Sequence, residues 1–441
     1  MRILVIGSGG REHAIGHKLL KSPRKPTLLF APGNPGMAEL GACYPVPVDD
    51  VTALLELAKK EAVDLTIVGP EIPLVMGIVD AFQAERLRIF GPTALAARLE
   101  GSKAFAKAFM ARHGIPTAAF ETFRDLKPAL AFLEKTGAPV VVKASGLAAG
   151  KGAVVCQTLQ EARSAIASML GPEAVFGEAG SEVVIEEFMT GEEASVFAVC
   201  DGKNFLLLPT AQDHKRIFDG DLGPNTGGMG AYSPASIMTP ALLERTCREI
   251  ISPTLEGMRR EGHPYKGVLY VGIMITAEGP KVVEFNCRLG DPETQAVLPV
   301  YEGDLLETLL ASVEERLGQW GEISPSPSRN CAAVVVLASG GYPDAYSTGF
   351  PVQGLPESEA LPGVQVIQAG TKIKDGVLVT AGGRVLGVVG KAESLSEALH
   401  AAYEGVSRIH FEGMQYRRDI GLKGLKRMEK SPGLFRSKEP G

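Results

Sequence analysis

The chain has 441 residues, 45% of them hydrophobic and 22% charged, and a formal net charge of −6. That length suggests two to four domains of roughly 100–200 residues each. The composition is that of an ordinary globular chain, and the acidic balance speaks against a general nucleic-acid binder, which needs a basic face. Cys43, Cys156, Cys200, Cys247, Cys287 and Cys331 form no C-x-x-C pair, so reduced thiols in a cytoplasmic protein are expected rather than a disulfide framework or a zinc cluster. No stretch approaches the ~20 apolar residues of a membrane helix, and the N-terminus lacks the layout of a signal peptide.

Residues 1–100 alternate strand and helix. Arg2–Ile6 is an apolar run ended by glycine, as a buried parallel strand should be. A helix from about Arg11 to Lys21, a strand Thr27–Ala31, a helix 51–62, a strand Leu65–Val68, a helix 74–86 and a short strand Arg88–Phe90 follow. This rhythm predicts a parallel sheet with helices on both faces. The first strand leads into Gly7-Ser-Gly9-Gly10-Arg11, where backbone N–H groups could approach a phosphate at a helix N-terminus. A dinucleotide fingerprint would need glycine at position 12, where Glu12 stands, so a sugar phosphate is the better expectation and a tight structural turn the alternative. His13 and His17 share one helix face, but solvated or packed histidines are expected there rather than a metal site.

Two helical segments occupy 103–135. Strand Val140–Lys143 ends on a lysine and runs into Ala-Ser-Gly-Leu-Ala-Ala-Gly150-Lys151-Gly152. The lysine suits a phosphate and the small-residue loop could close over it; a plain hairpin is the alternative. Strand 153–156, helix 159–170 and strand Glu182–Phe188 complete a small α/β lid. Its last strand carries Glu186-Glu187-Phe188-Met189 and then Glu193, a pattern able to read adenine and ribose but weak alone.

Strand hairpins are expected over 192–210 and 267–287, with a long loop from about 212 to 236 and a helix over 240–261. The loop holds Asp213, Lys215, Gly227 and Gly228, dense in charge and glycine, and loops longer than ~12–15 residues within a compact domain are usually functional. On strand Lys281–Asn286, Glu284 and Asn286 share a face and offer hard oxygens of the kind Mg²⁺ takes. Arg288 and Asp291 follow, and Arg288 could grip a carboxylate or phosphate in two-pronged fashion. Ile323–Arg329 reads as a linker. Strands 331–338, 364–368 and 377–381, a hairpin Arg384–Gly390 and a helix 396–408 then form a small α+β module. The tail from about Lys423 lacks periodicity, and residues 422–441 are expected to be disordered.

These motifs, in this order, resemble the phosphoribosylamine–glycine ligase family of ATP-grasp enzymes. The likeness runs from residue 1 to about 421 and is most specific over Asp213–Pro234. It implies an α/β and α+β multidomain fold. A parallel-sheet pre-ATP-grasp domain (1–102) would precede an ATP-grasp core (103–325) with a mobile lid at about 123–191, and a small C-terminal α+β domain (326–421) would follow. The implied reaction joins glycine to 5-phosphoribosylamine with ATP and Mg²⁺ or Mn²⁺, through glycyl phosphate, in a cytoplasmic monomer that needs neither nucleic acid nor membrane.

By the same resemblance, Glu284 and Asn286 would hold the metal. Lys103 and Lys143 would contact ATP phosphates beneath the loop Gly150, Lys151 and Gly152. Glu186, Glu187, Phe188 and Met189 would bind adenine, and Glu193 the ribose. Arg288, Lys143 and Lys215 would be catalytic. Gly9, Gly10, Asn34, Glu71, Asp213, Lys215, Gly227, Gly228, Arg288 and Asp291 would surround the substrates. Ser145 departs from the family, which usually has Asp there. No carboxylate lies in Val268–Ile275, which separates the chain from biotin carboxylase-like relatives that carry a metal carboxylate on that strand.

Overall fold

The computed structural model describes residues 1–148, 152–171, 177–320 and 329–430. Gly150, Lys151 and nearly all of the expected linker therefore lie outside the described residues.

The N-terminal sheet is fully parallel. Its order is Gly41–Cys43, Thr27–Pro32, Arg2–Gly7, Leu65–Val68, Ile89–Phe90. The order reverses beside Arg2–Gly7, so the crevice at the strand C-termini opens between Gly7 and Gly69, and such switch points are where open α/β sheets bind ligands. The side chains of Ile3, Leu4, Val5 and Ile6 are fully buried, as a strand covered on both faces requires. The expected helix 74–86 is two helices, Glu71–Val75 and Ile78–Ala84, because the chain turns at Gly77 with φ +86°.

A four-stranded antiparallel sheet forms the lid, in the order Phe120–Phe123, Val183–Glu187, Val140–Ala144, Ala153–Cys156. Helices Leu126–Thr136 and Leu159–Leu170 close its core. The strand Phe120–Phe123 was hidden from the sequence. Beneath the lid lies a second antiparallel sheet, Phe205–Leu207, Glu192–Asp201, Lys266–Thr276, Gly279–Asn286. The expected helix 240–261 runs from Pro240 to Arg260 through a π-turn at Cys247–Ile251.

The 212–236 segment is not the long loop expected. Gln212–Asp213 pairs with Gly230–Ser233, which extends the C-terminal sheet of Cys331–Ala338, Arg384–Ala392 and Val364–Gln368. Between them, Arg216–Phe218 and Leu222–Asn225 form a separate ribbon. The expected hairpin at Arg384–Gly390 is one continuous strand, Arg384–Ala392, paired on both sides. The expected disorder of 422–441 is corrected over its first part, where Leu422–Lys430 is a helix and Leu425 and Met428 pack on the C-terminal core; residues 431–441 lie outside the described residues. Among the described residues, no helix is long and apolar enough to cross a membrane.

Candidate active site

A cleft of about 540 Å³ opens between the lid, the central sheet, the N-terminal domain and the C-terminal sheet. Its wall gathers Glu71, Lys103, Lys143, Gly152, Glu186, Glu187, Phe188, Met189, Glu193, Asp213, Lys215, Gly227, Glu284, Asn286, Arg288 and Asp291. Residues from the first domain to the end of the central sheet thus face one space.

Three lysines stand on the lid side. Ser102 caps the helix Lys103–Arg112 by accepting from the Phe105 N–H, which puts Lys103 in the first turn. Ser145 Oγ accepts from the Ala104 N–H at 3.1 Å, and the Ser145 carbonyl accepts from the Lys103 N–H at 2.8 Å. Ser145 thus acts as a cap across two elements, a task open to serine and aspartate alike. Lys103 Nζ reaches the Gly146 carbonyl at 3.1 Å, and burial lowers its pKa, with Lys143 adding to the effect while Glu284 opposes both. Lys143 and Lys107 share one oxygen of Glu186, at 2.9 and 3.1 Å. Burial brings Lys107 down to about 8 against the pull of Glu186. The other oxygen of Glu186, itself buried, has no hydrogen-bond partner among the described residues and leaves an acceptor at the cleft wall.

Glu284 and Asn286 lie two residues apart on Gly279–Asn286, both at the cleft. Burial would raise the Glu284 carboxyl, but Lys215, Lys143, Lys103 and Arg288 hold it below its ordinary value. Among the described residues no three His, Cys, Asp or Glu side chains converge as a metal cage. An ionised carboxylate and one amide oxygen on a strand face suit a Mg²⁺-type ion that completes its shell with phosphate oxygens and water.

Arg288 is held from several sides: Nε by Glu71 at 3.2 Å, Nη2 by Glu100 at 2.8 Å and Asn286 Oδ1 at 3.2 Å, and Nη1 by the Leu289 carbonyl at 3.3 Å. Four of its five donors are engaged, so a two-pronged grip on a ligand needs one of these partners to let go. Opposite, Lys215 is paired with Glu193 and lies 3.9 Å from Asp213. Burial pushes Asp213 up to about 7, with Lys215 opposing and Glu293 reinforcing.

Four predicted residues do not line this cleft, namely Gly9, Gly10, Asn34 and Gly228. The Gly9 N–H that a phosphate would need is taken by Glu12 Oε2 at 2.8 Å, and a Cβ at Gly69 would meet Glu12 Oε1 at 2.0 Å. The glycine turn is therefore filled by the chain's own carboxylate. Gly10 abuts Gln295 and the C-terminal sheet. Asn34 spends its amide on structure: Oδ1 caps Met37, and Nδ2 donates to the Ser8 and Gln368 carbonyls, each at 2.9 Å. Gly228 packs on Pro292. His13 is packed as expected, its Nδ1 accepting from the Gln368 N–H.

The cleft also holds Glu293, which closes the motif begun by Arg288, and residues that the sequence did not point to: Lys107, Glu100, Tyr270 and Arg384. Tyr270 donates to Glu293 at 2.7 Å. Arg384 reaches across from the C-terminal sheet to the Gly227 and Asp291 carbonyls, both at 2.7 Å.

Residues 1–100, 101–294 and 332–423 match the N, ATP-grasp (A) and C domains of phosphoribosylglycinamide synthetase. The chain is 52% identical over 430 residues to a phosphoribosylamine–glycine ligase of Vibrio vulnificus, covering 97% of this chain and 99% of the relative. It is 51% identical over 435 residues to one from Escherichia coli O6:H1, with the same shares of 97% and 99%. The Thermotoga maritima phosphoribosylamine–glycine ligase crystal structure superposes with a TM-score of 0.81 at 37% identity, covering 95% of this chain and 100% of that one. A biotin carboxylase domain of Hydrogenobacter thermophilus, at 14% identity and TM-score 0.72 over 99% of both chains, shares the fold.

Proposed function

The chain belongs to the phosphoribosylglycinamide synthetase family, and from that premise we propose that its cleft joins glycine to 5-phosphoribosylamine at the expense of ATP. It is an ATP-grasp ligase that forms a C–N bond in purine biosynthesis. The observation that carries the residue-level reading is the convergence of Lys103, Lys143, Glu284, Asn286 and Arg288 on one cleft.

A free carboxylate is a poor acyl donor, so glycine must first be activated. One glycine carboxylate oxygen bonds to the γ-phosphorus of ATP while the bond to the bridging β,γ-oxygen breaks and ADP leaves. The sugar amine nitrogen then bonds to the carbonyl carbon of glycyl phosphate. Phosphate departs with the glycine oxygen, and the amine gives up a proton as the amide forms. Charge spreads over the transferring phosphoryl oxygens, and the fixed cations of the cleft stabilise it.

In this reading Lys143 and Lys103 hold the ATP phosphates. The free oxygen of Glu186 and the backbone of Glu187, Phe188 and Met189 meet adenine, and Glu193 the ribose. A Mg²⁺ or Mn²⁺ ion held by Glu284 and Asn286 would supply electrostatic neutralisation of the phosphates. Lys215, Asp213 and Arg288 position glycine and the developing acyl phosphate. Glu71, Asp291 and Gly227 form the far end of the cleft, toward the sugar. Gly150, Lys151 and Gly152 are proposed to close over the phosphates. Gly9, Gly10, Asn34 and Gly228 support the sugar end from behind rather than touching it. A cytoplasmic monomer goes with this reading, and six unpaired thiols fit a reducing compartment.

The test is an assay with each component omitted in turn. ADP and phosphate should appear only with ATP, glycine and phosphoribosylamine together, and glycine labelled with ¹⁸O in its carboxylate should pass label to phosphate. Equal turnover with alanine, or unlabelled phosphate, would remove respectively the glycine specificity and the acyl-phosphate route.

A further inference from the structure

The residues around 417–427 carry no motif, yet they touch the substrate cleft at one remove. Arg417 is 1% exposed. Its guanidinium binds Asp419 through Nε and Nη2, each at 2.8 Å, and Asp221 through Nη1 at 2.8 Å. The same Nη1 donates to the Arg216 carbonyl at 3.1 Å. The Arg418 N–H donates to Asp219 at 2.8 Å, and Asp419 accepts from the Gly220 N–H at 2.9 Å. Lys423 pairs with Asp221, and Arg427 with Glu192. On the other flank, the Gly421 N–H donates to His214 Nε2 at 3.2 Å.

The pattern brackets a single residue. Arg216 is held by Arg417, and His214 by Gly421. Between them stands Lys215, whose side chain lies in the cleft with Glu193 and Asp213. Arg427 meanwhile binds the neighbour of Glu193. A lysine has four rotatable side-chain bonds and a point charge, so where its ammonium dwells depends on how firmly its backbone is placed. A buried fork bound to two carboxylates is a stiff support for that backbone.

We infer that Arg417 is a positioning residue for Lys215, with the segment from Arg417 to Arg427 as the clasp that fixes the lysine over the glycine end of the cleft. The inference rests on the proposed role of Lys215. It assigns Arg417 a part in turnover beyond holding the fold, because the clasp grips both peptide neighbours of that one side chain.

A double-mutant cycle on the full-length enzyme tests it. Arg417→Gln should lower kcat roughly ten-fold while leaving KM for ATP within about two-fold, and Arg417→Lys, which keeps the charge but not the fork, should recover part of the loss. In a Lys215→Gln background the same Arg417→Gln change should cost almost nothing further. Equal losses in both backgrounds would mean that Arg417 supports the fold alone, and the inference falls. If Arg417→Gln does not fold, Asp221→Asn removes one arm of the clasp and goes through the same cycle: a loss confined to the Lys215 background supports the inference, and equal losses overturn it. Wild-type turnover in Lys215→Gln would overturn the role of Lys215 and this inference with it. Slow turnover in Lys215→Gln with additive losses would overturn the inference only.

Discussion

Glu100 holds the guanidinium of Arg288 at 2.8 Å with one carboxylate oxygen, and with the other it accepts from the Cys287 N–H at 2.7 Å and the Cys287 thiol at 2.9 Å. One buried side chain at the end of helix Ala94–Gly101 thereby fixes both the backbone after strand Gly279–Asn286 and the charge that follows it. Burial drives the Glu100 carboxyl upward even beside Arg288, so the carboxylate depends on that partner to stay ionised. Arg288 serves Glu71 and Asn286 as well, which makes it the joint between the N-terminal domain and the proposed metal pair.

Replacing Glu100 by alanine leaves the partly buried Arg288 with one carboxylate fewer. Breaking a buried charge pair from one side costs about 3–5 kcal/mol; because Glu71 remains, the lower end is expected. Denaturant unfolding should show that loss, with kcat falling as well. A Glu100→Ala enzyme with wild-type stability would show that Glu71 alone suffices to hold Arg288.

Glu284→Gln keeps the shape of the side chain and removes the charge that four cations hold in place. Turnover should drop by roughly two orders of magnitude or more at any Mg²⁺ concentration, on the scale of losing a main electrostatic group, while the far-UV circular dichroism stays that of the wild type. Restoration of full rate by raising Mg²⁺ alone would show that the ion is held mainly elsewhere.

The parts of this molecule that were readable in sequence are those whose signal is local. The buried runs Arg2–Gly7, Val140–Ala144 and Cys331–Ala338 announce themselves by apolar content, and the lysine ending Val140–Lys143 and the pair Glu284, Asn286 by position on a strand. The ribbon and short strands between 212 and 233 did not, because Gln212–Asp213 is two residues long and pairs only with a partner across a turn. Arg384 gave no sign, since its partners Gly227 and Asp291 lie 157 and 93 residues away. Two misses had a signal: Lys107 sits one helical turn from Lys103, and Leu422, Leu425 and Met428 recur at helix spacing. The glycine turn at Gly7–Gly10 was legible as a turn, but not the acceptance of its Gly9 N–H by Glu12, a contact only the fold reveals.

Glu186→Ala takes away the shared partner of Lys107 and Lys143. Two buried ammonium groups then face each other across the wall of the cleft, and Lys107, already brought down to about 8, should lose its proton near neutral pH. Stability should fall by about 3–5 kcal/mol, and KM for ATP should rise because Lys143 is no longer held toward the phosphates. Glu186→Gln keeps the geometry and should show the rise in KM with less of the instability. If both variants bind ATP as tightly as the wild type, the adenine and phosphate roles proposed for Glu186 and Lys143 are wrong.

Acid should destabilise the fold through three histidines, His13 and His214 buried and His17 partly buried. His13, His17 and His214 are lowered to about 3, 4 and 4, each chiefly by burial. His13 Nδ1 accepts from the Gln368 N–H at 2.9 Å, a bond only an unprotonated Nδ1 can make. Above the ordinary histidine pKa of about 6.5 both folded and unfolded chains hold these rings neutral, and they add no pH dependence. As pH falls below that value the unfolded chain takes up protons the folded chain refuses, so stability is lost progressively toward pH 4. The slope is up to about 1.4 kcal/mol per pH unit for each histidine. Urea unfolding between pH 7 and 4.5 measures the slope, and His13→Gln should flatten it by about one histidine's share. An unaltered slope in His13→Gln would mean that the ring is protonated in the folded state and that the Gln368 bond is not made as described.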